Sequence, residues 1–156
     1  MKNNLYSKKM VFVVIAIIIS IIFFTLAARH LLEKGNGSQR YMNNIEINWG
    51  IQLSKDAKVI YGIDNSGFLG DGERYNVLSY DDDREISSAF EWKKGRNELL
   101  ETKVKEISKG LSIDEKYALN FAGEYMYYIK GKDDSSKIYM VYVPSLKRVT
   151  VIEDIY

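Results

Sequence analysis

Residues 124–155 read EYMYYIKGKDDSSKIYMVYVPSLKRVTVIEDI, and this stretch decides the fold. Three runs rich in β-branched and aromatic residues stand out: Glu124 to Lys130, Lys137 to Val143 and Arg148 to Ile155. Such residues suit a pleated, packed surface. Between them, Gly131 to Ser136 and Pro144 to Lys147 supply turn-forming residues. The simplest arrangement is a three-stranded antiparallel meander. Pro144, the only proline, falls at a strand end, where it removes no ladder hydrogen bond.

Working outward, Lys58 to Ile63 and Arg74 to Tyr80 have the same β character, and the loop between them holds three glycines, two aspartates and an asparagine. They predict an antiparallel hairpin with a long turn. Ile45-Glu46-Ile47-Asn48-Trp49 alternates apolar with polar, and Ile51 and Leu53 resume the pattern after Gly50, which predicts one more strand. Asn97 to Lys109 carries Leu100, Val104 and Ile107 on one helical face, with Asn97 as cap and Gly110 at the end. Arg84 to Trp92, behind Asp81-Asp82-Asp83, has the spacing of a short helix, and Ser112-Ile113-Asp114-Glu115 is a capping-box pattern that predicts a further short helix. The fold class is therefore α+β: an N-terminal β-hairpin, one or two central helices and a C-terminal antiparallel meander.

Ahead of this domain, Met10 to Ala28 contains 19 residues without a charge. A helix of that length nearly matches a hydrocarbon core of about 30 Å. The expected organisation is a short basic cytoplasmic tail over 1–9, a transmembrane signal anchor over 10–32, a linker over 33–44 and an extracytoplasmic domain over 45–156. Contact with the lipid bilayer is expected through residues 10–28. Lys2, Lys8 and Lys9 in front favour a cytoplasmic N-terminus, although Arg29, Lys34 and Arg40 follow the span. The alternative is a cleaved signal peptide and a secreted domain, since small residues follow the apolar run; 19 apolar residues exceed the usual signal core of about 7–15.

The formal charge of +1 averages unlike parts. The first 28 residues hold three of the 22 basic residues and none of the 21 acids, so the remainder is mildly acidic. Nucleic acid is not an expected partner of such a domain. There is no cysteine, which excludes disulfides, thiol catalysis and cysteine-ligated metal. The only histidine, His30, sits beside the apolar run, so a histidine-based triad has no base in the folded part. No nucleotide-binding glycine motif occurs. No cofactor and no resident metal are expected, although the acids around Gly67 to Gly72 leave a hard-cation site open beside ordinary turn chemistry.

Two groups of residues are candidates for partner binding. The loop aromatic Phe68, with Asp71 and the run Asp81, Asp82 and Asp83, offers an apolar anchor and acidic contacts for a cationic peptide. Tyr125, Tyr127 and Tyr139, drawn from 12 tyrosines in the chain, offer large contact area at low entropy cost. Alternation puts Tyr125 and Tyr127 on one side of their strand and Tyr128 on the other, so one set at most is expected in the core. No motif specifies a characterised family. The sequence reads as a single-pass, membrane-anchored, non-enzymatic interaction module of a bacterial envelope, with another envelope protein, a peptide (an immunity-like role) or cell-wall material as partner. The alternatives are a membrane-anchored envelope enzyme using a carboxylate pair, or an accessory subunit acting through its transmembrane helix.

Overall fold

A computed structural model describes residues 3–82, 84, 86 and 90–156; within the first helix it describes the side chains of residues 10, 13–26 and 37–49. The chain forms two compact units, Met1–Gly37 and Ser38–Tyr156.

The first helix, α1, runs Asn3–Trp49. In the first unit its large apolar side chains between Val13 and Leu26 are exposed all round. Among the described residues no helix is long and apolar enough to cross a membrane. Side chains 11–12 and 27–36, which include parts of the expected span and linker, lie outside the description.

The second unit is built on one six-stranded antiparallel sheet: β1 (Lys58–Asp64), β2 (Gly72–Ser79), β3 (Lys93–Lys94), β4 (Met126–Gly131), β5 (Lys137–Val143) and β6 (Arg148–Ile155). The spatial order is β1-β2-β6-β5-β4-β3. The expected hairpin is β1–β2 and the expected meander is β4–β5–β6; β2 joins them by pairing with β6 along its whole length, Gly72 opposite Ile155 through Ser79 opposite Arg148. A second helix, α2 (Glu98–Gly110), has the predicted Asn97 cap, whose side chain accepts from the Leu100 amide.

The sheet is covered on both faces. One face meets Met42, Ile45 and Trp49 of α1 and the following Ile51 and Leu53, which pack on Leu78, Ile138, Met140, Tyr142, Val149 and Val151. The other face meets Leu100, Val104 and Ile107 of α2, packed on Tyr75, Val77, Tyr139, Val141 and Ile152. Central strands buried on both sides lose the apolar–polar alternation of a one-sided sheet. That explains the unbroken IYMVY of β5, where all five residues are buried.

Four expectations are corrected. Residues 45–49 are helical, not a strand, and the expected linker 33–44 is helix as well. Met42, Ile45 and Trp49 are buried while Ile47 is 80% exposed. Spacings of three and four residues form a helical face, which the five-residue alternation mimics. Gly50 ends α1 at φ +60, the left-handed conformation of a C-terminal glycine, and its amide donates to the Glu46 carbonyl. The helix over Ser112 to Leu119 does not form. Ser112 takes φ 53, and Asp114 spends its carboxylate on the Lys116 amide in a local turn. Of the short helix expected over 84–92, Arg84 and Ile86 are helical; residues 83, 85 and 87–89 lie outside the described residues. Lys93–Lys94, read as a break, pairs with β4 as the edge strand β3.

Candidate functional site

The predicted tyrosine face is mostly structural. Tyr125 and Tyr139 are buried under α2, and Tyr127 packs beside them half-exposed. The Tyr125 hydroxyl accepts from the Asn97 amide at 2.9 Å and donates to Glu101 at 3.0 Å, so it holds the start of α2. Arg96 binds the same Glu101 carboxylate and holds it below the usual range. Tyr128, partly buried, packs against the opposite core, so each set of strand tyrosines packs against a core, contrary to the one-set expectation. Two more tyrosines pin the irregular segment after α2: Tyr75 donates to the Tyr117 carbonyl at 2.9 Å, and Tyr61 accepts from the Asp114 amide at 3.2 Å. Burial raises the Tyr75 hydroxyl to about 12.

The acidic candidates do not form one patch. Phe68 is fully exposed at the tip of the β1–β2 loop, with Asp71 beside it. Asp81 and Asp82 lie at the other end of that hairpin, about 20 Å away by strand rise. Asp81 is paired with Lys58 at 2.7 Å. Asp82 takes three hydrogen bonds from the Arg84 guanidinium, which with the Arg84 amide lower its carboxyl to about 2. Asp83 lies outside the described residues. Among the described residues no three acidic or histidine side chains converge as metal ligands.

A different site emerges between the end of α1 and the β1–β2–β6 side of the sheet. It is a cavity of about 440 Å³ lined by Tyr41, Asn44 and Asn48 of α1, Gly62, Ile63 and Asp64 of β1, Arg74 and Asn76 of β2, and Glu153 of β6. Strand alternation places Arg74, Asn76 and Glu153 on the α1 face, and Arg74 lies directly opposite Glu153 in the register. Glu153 is only 2% exposed. It accepts from the Trp49 indole N–H at 2.7 Å and lies 3.6 Å from an Arg74 guanidinium nitrogen. Arg74 also donates from Nε to Asp64 at 3.1 Å. Asn76 fits because β1 has no side chain at Gly62; a Cβ there would lie 2.5 Å from the Asn76 amide oxygen.

Among the described residues the buried Tyr41 hydroxyl makes no hydrogen bond of standard geometry, although the Asn76 side chain lies near enough to act on its titration. Burial, reinforced by the Glu153 charge, pushes it well above the ordinary tyrosine value, with the Asn76 amide and Arg74 opposing. Trp49, which reaches the site through its bond to Glu153, is held from three sides. Lys130 donates to its carbonyl at 2.7 Å, Lys132 stands 4.5 Å over its ring, and Glu153 takes its N–H.

The two carboxyls of the cavity titrate in opposite directions. Burial raises Glu153, against the pull of Trp49 and Arg74. Asp64 is lowered: burial works against it, but the Ser66 hydroxyl and amide and the Arg74 guanidinium outweigh that. For Glu153 the folded state holds its proton more tightly than the unfolded chain. Its contribution to stability is fully present below the unfolded pKa and is lost as pH rises through the folded one. Wild type is therefore expected to lose stability relative to Glu153→Gln as pH rises from about 4 towards neutrality. Urea midpoints of the two chains across that range check this; a pH-independent difference contradicts it.

The chain matches no known protein family, curated protein or solved structure. Sequence reasoning missed this cavity because its members come from four elements and one of them was read as a linker. The available signal was Tyr41, Asn44 and Asn48, which share a helical face by their spacing.

Proposed function

We propose that the chain is a single-pass, membrane-anchored binding module of a bacterial envelope, with a cytoplasmic N-terminus and its folded domain outside the cytoplasm. Recognition is assigned to the cavity beneath the end of α1. The observation that carries this reading is the buried Tyr41 hydroxyl, which makes no hydrogen bond of standard geometry among the described residues and lines a polar cavity. A buried polar group without a partner costs about 1–3 kcal/mol, so a protein keeps one where something else meets it. The anchor is supported by 19 consecutive uncharged residues, Met10 to Ala28, whose described large apolar side chains are exposed. Among the described residues of the first unit those side chains are exposed, and lipid is the solvent that suits them. Tethering raises the effective concentration of the module at the surface, so a modest affinity suffices. Its ligand is a component of the envelope: a partner protein, a peptide or wall material.

One observation favours a second reading, an envelope enzyme. Asp64 and Glu153 line the same cavity and are pushed in opposite directions, as an acid and a base are in many hydrolases. Against it, Arg74 reaches both carboxylates and ties them to itself. Product formation from envelope material, lost in both Asp64→Asn and Glu153→Gln, would favour the enzyme.

The test of the main reading is a reporter fused after Tyr156 that works only outside the cytoplasm. Activity in cells, with the fusion retained in the membrane fraction, is expected. An active cytoplasmic reporter in the same position would overturn the compartment and every envelope partner.

A further inference from the structure

The groups of the cavity that remain free define what it binds. We infer that it recognises an uncharged ligand dense in hydroxyl and amide groups, a saccharide unit bearing an acetamido group; this rests on the binding-module reading above. The charged side chains of the cavity are spent on one another. Arg74 bonds Asp64 at 3.1 Å and approaches Glu153 at 3.6 Å, and Glu153 takes the Trp49 N–H. A cationic ligand would have to displace Arg74, and an anionic one would meet two carboxylates.

What remains is neutral: the Tyr41 hydroxyl with the Asn76 amide close beside it, and the amides of Asn44 and Asn48. Hydroxyls and carboxamides each donate and accept, and so do sugar hydroxyls and an acetamido group. The buried end of the cavity presents the Tyr41 hydroxyl, and its mouth presents the exposed Asn44 and Asn48 from α1. A ligand hydroxyl at Tyr41 gives that group the well-formed hydrogen bond it makes with no described residue. The volume of about 440 Å³ lies in the usual range for small-molecule sites, ~300–1,000 Å³.

The Trp49 indole reports on the site because its N–H is bonded to Glu153. The experiment is a titration of the full chain, ¹⁵N-labelled and held in a detergent without a sugar headgroup. The probe is the disaccharide of N-acetylglucosamine, and a hexalysine peptide forms a separate arm. The Trp49 indole signal, told from that of Trp92 by a Trp92→Phe sample, is expected to shift saturably with the disaccharide and not with hexalysine. Tyr41→Phe, which keeps the ring, and the surface pair Asn44→Ala with Asn48→Ala are each expected to weaken binding roughly tenfold or more. Cooperative melting of each variant confirms its fold.

No saturation by the disaccharide overturns the inference. So does an affinity unchanged in both variants, or a response to hexalysine alone. The reporter experiment fails independently: an outward-facing chain that ignores the disaccharide loses this ligand class and keeps the module.

Discussion

Trp49→Ala is expected to destabilise the domain by about 3–5 kcal/mol, the usual cost of truncating a buried aromatic side chain. Two effects act together. The indole is nearly inaccessible and packs with Met42 and Ile45 of α1 against the sheet, so its removal leaves a void in a close-packed layer. Its N–H is also the hydrogen-bond donor to Glu153 at 2.7 Å, and the carboxyl it leaves behind is buried. An acceptor stripped of its donor in that setting carries its desolvation cost alone. Trp49→Phe separates the two, since it keeps most of the ring and removes the donor; it should lose about 1–3 kcal/mol. Urea unfolding of the full chain measures both. A Trp49→Ala chain within about 0.5 kcal/mol of wild type, the range of neutral surface changes, would mean the indole is not packed as described.

A fragment of residues 38–156 is expected to fold cooperatively, and one of residues 50–156 is not. The shorter fragment lacks Met42, Ile45 and Trp49, each worth roughly 1.5–3 kcal/mol of burial. It also lacks Ser38, whose hydroxyl accepts from the Val59 amide at 3.0 Å on the edge strand β1. Domains of this size hold only about 5–15 kcal/mol of net stability, so the loss consumes most of it. The uncovered face would expose Leu78, Ile138, Met140, Val149 and Val151 together. Near-ultraviolet circular dichroism and thermal melting of the two fragments decide the matter. A cooperative melt of 50–156 near that of 38–156 would show the sheet to be self-sufficient on that face.

The strands were legible because β propensity, turn residues and a two-residue period agree along them. The hairpin loop around Gly67 to Gly72 and the turns at Gly131 to Ser136 and Pro144 to Lys147 stand where the sequence places them. Helix α2 was legible for the same reason, since its Asn97 cap and its apolar face agree; its end was not, because Gly110 stays inside the helix and Ser112 takes the left-handed turn after it. The end of α1 was not. Ile45, Ile47 and Trp49 satisfy a strand period within five residues, and only extension back to Met42 reveals the helical one. Gly35, Gly37 and the polar residues after them look like a linker by composition, yet a polar outer face is what a surface helix needs.

The candidate site inherits that error. Tyr125 and Tyr139 were chosen for exposure they do not have, since a sheet covered on both faces buries them, while Tyr127 keeps part of its surface. Phe68 is the exception, standing exposed at its loop tip. The cavity residues Tyr41, Asn76 and Glu153 are each ordinary in sequence; they acquire meaning only when β2 pairs with β6 and α1 closes over them.

All of this rests on the end of α1 being a wall of the domain and of its cavity. Amide hydrogen exchange of the full chain tests that claim directly. The account predicts that amides of residues 42–49 exchange as slowly as those of β5 and β6, opening only with the whole domain. Exchange of residues 42–49 at the rate of an unstructured linker, while the strands stay protected, would contradict it.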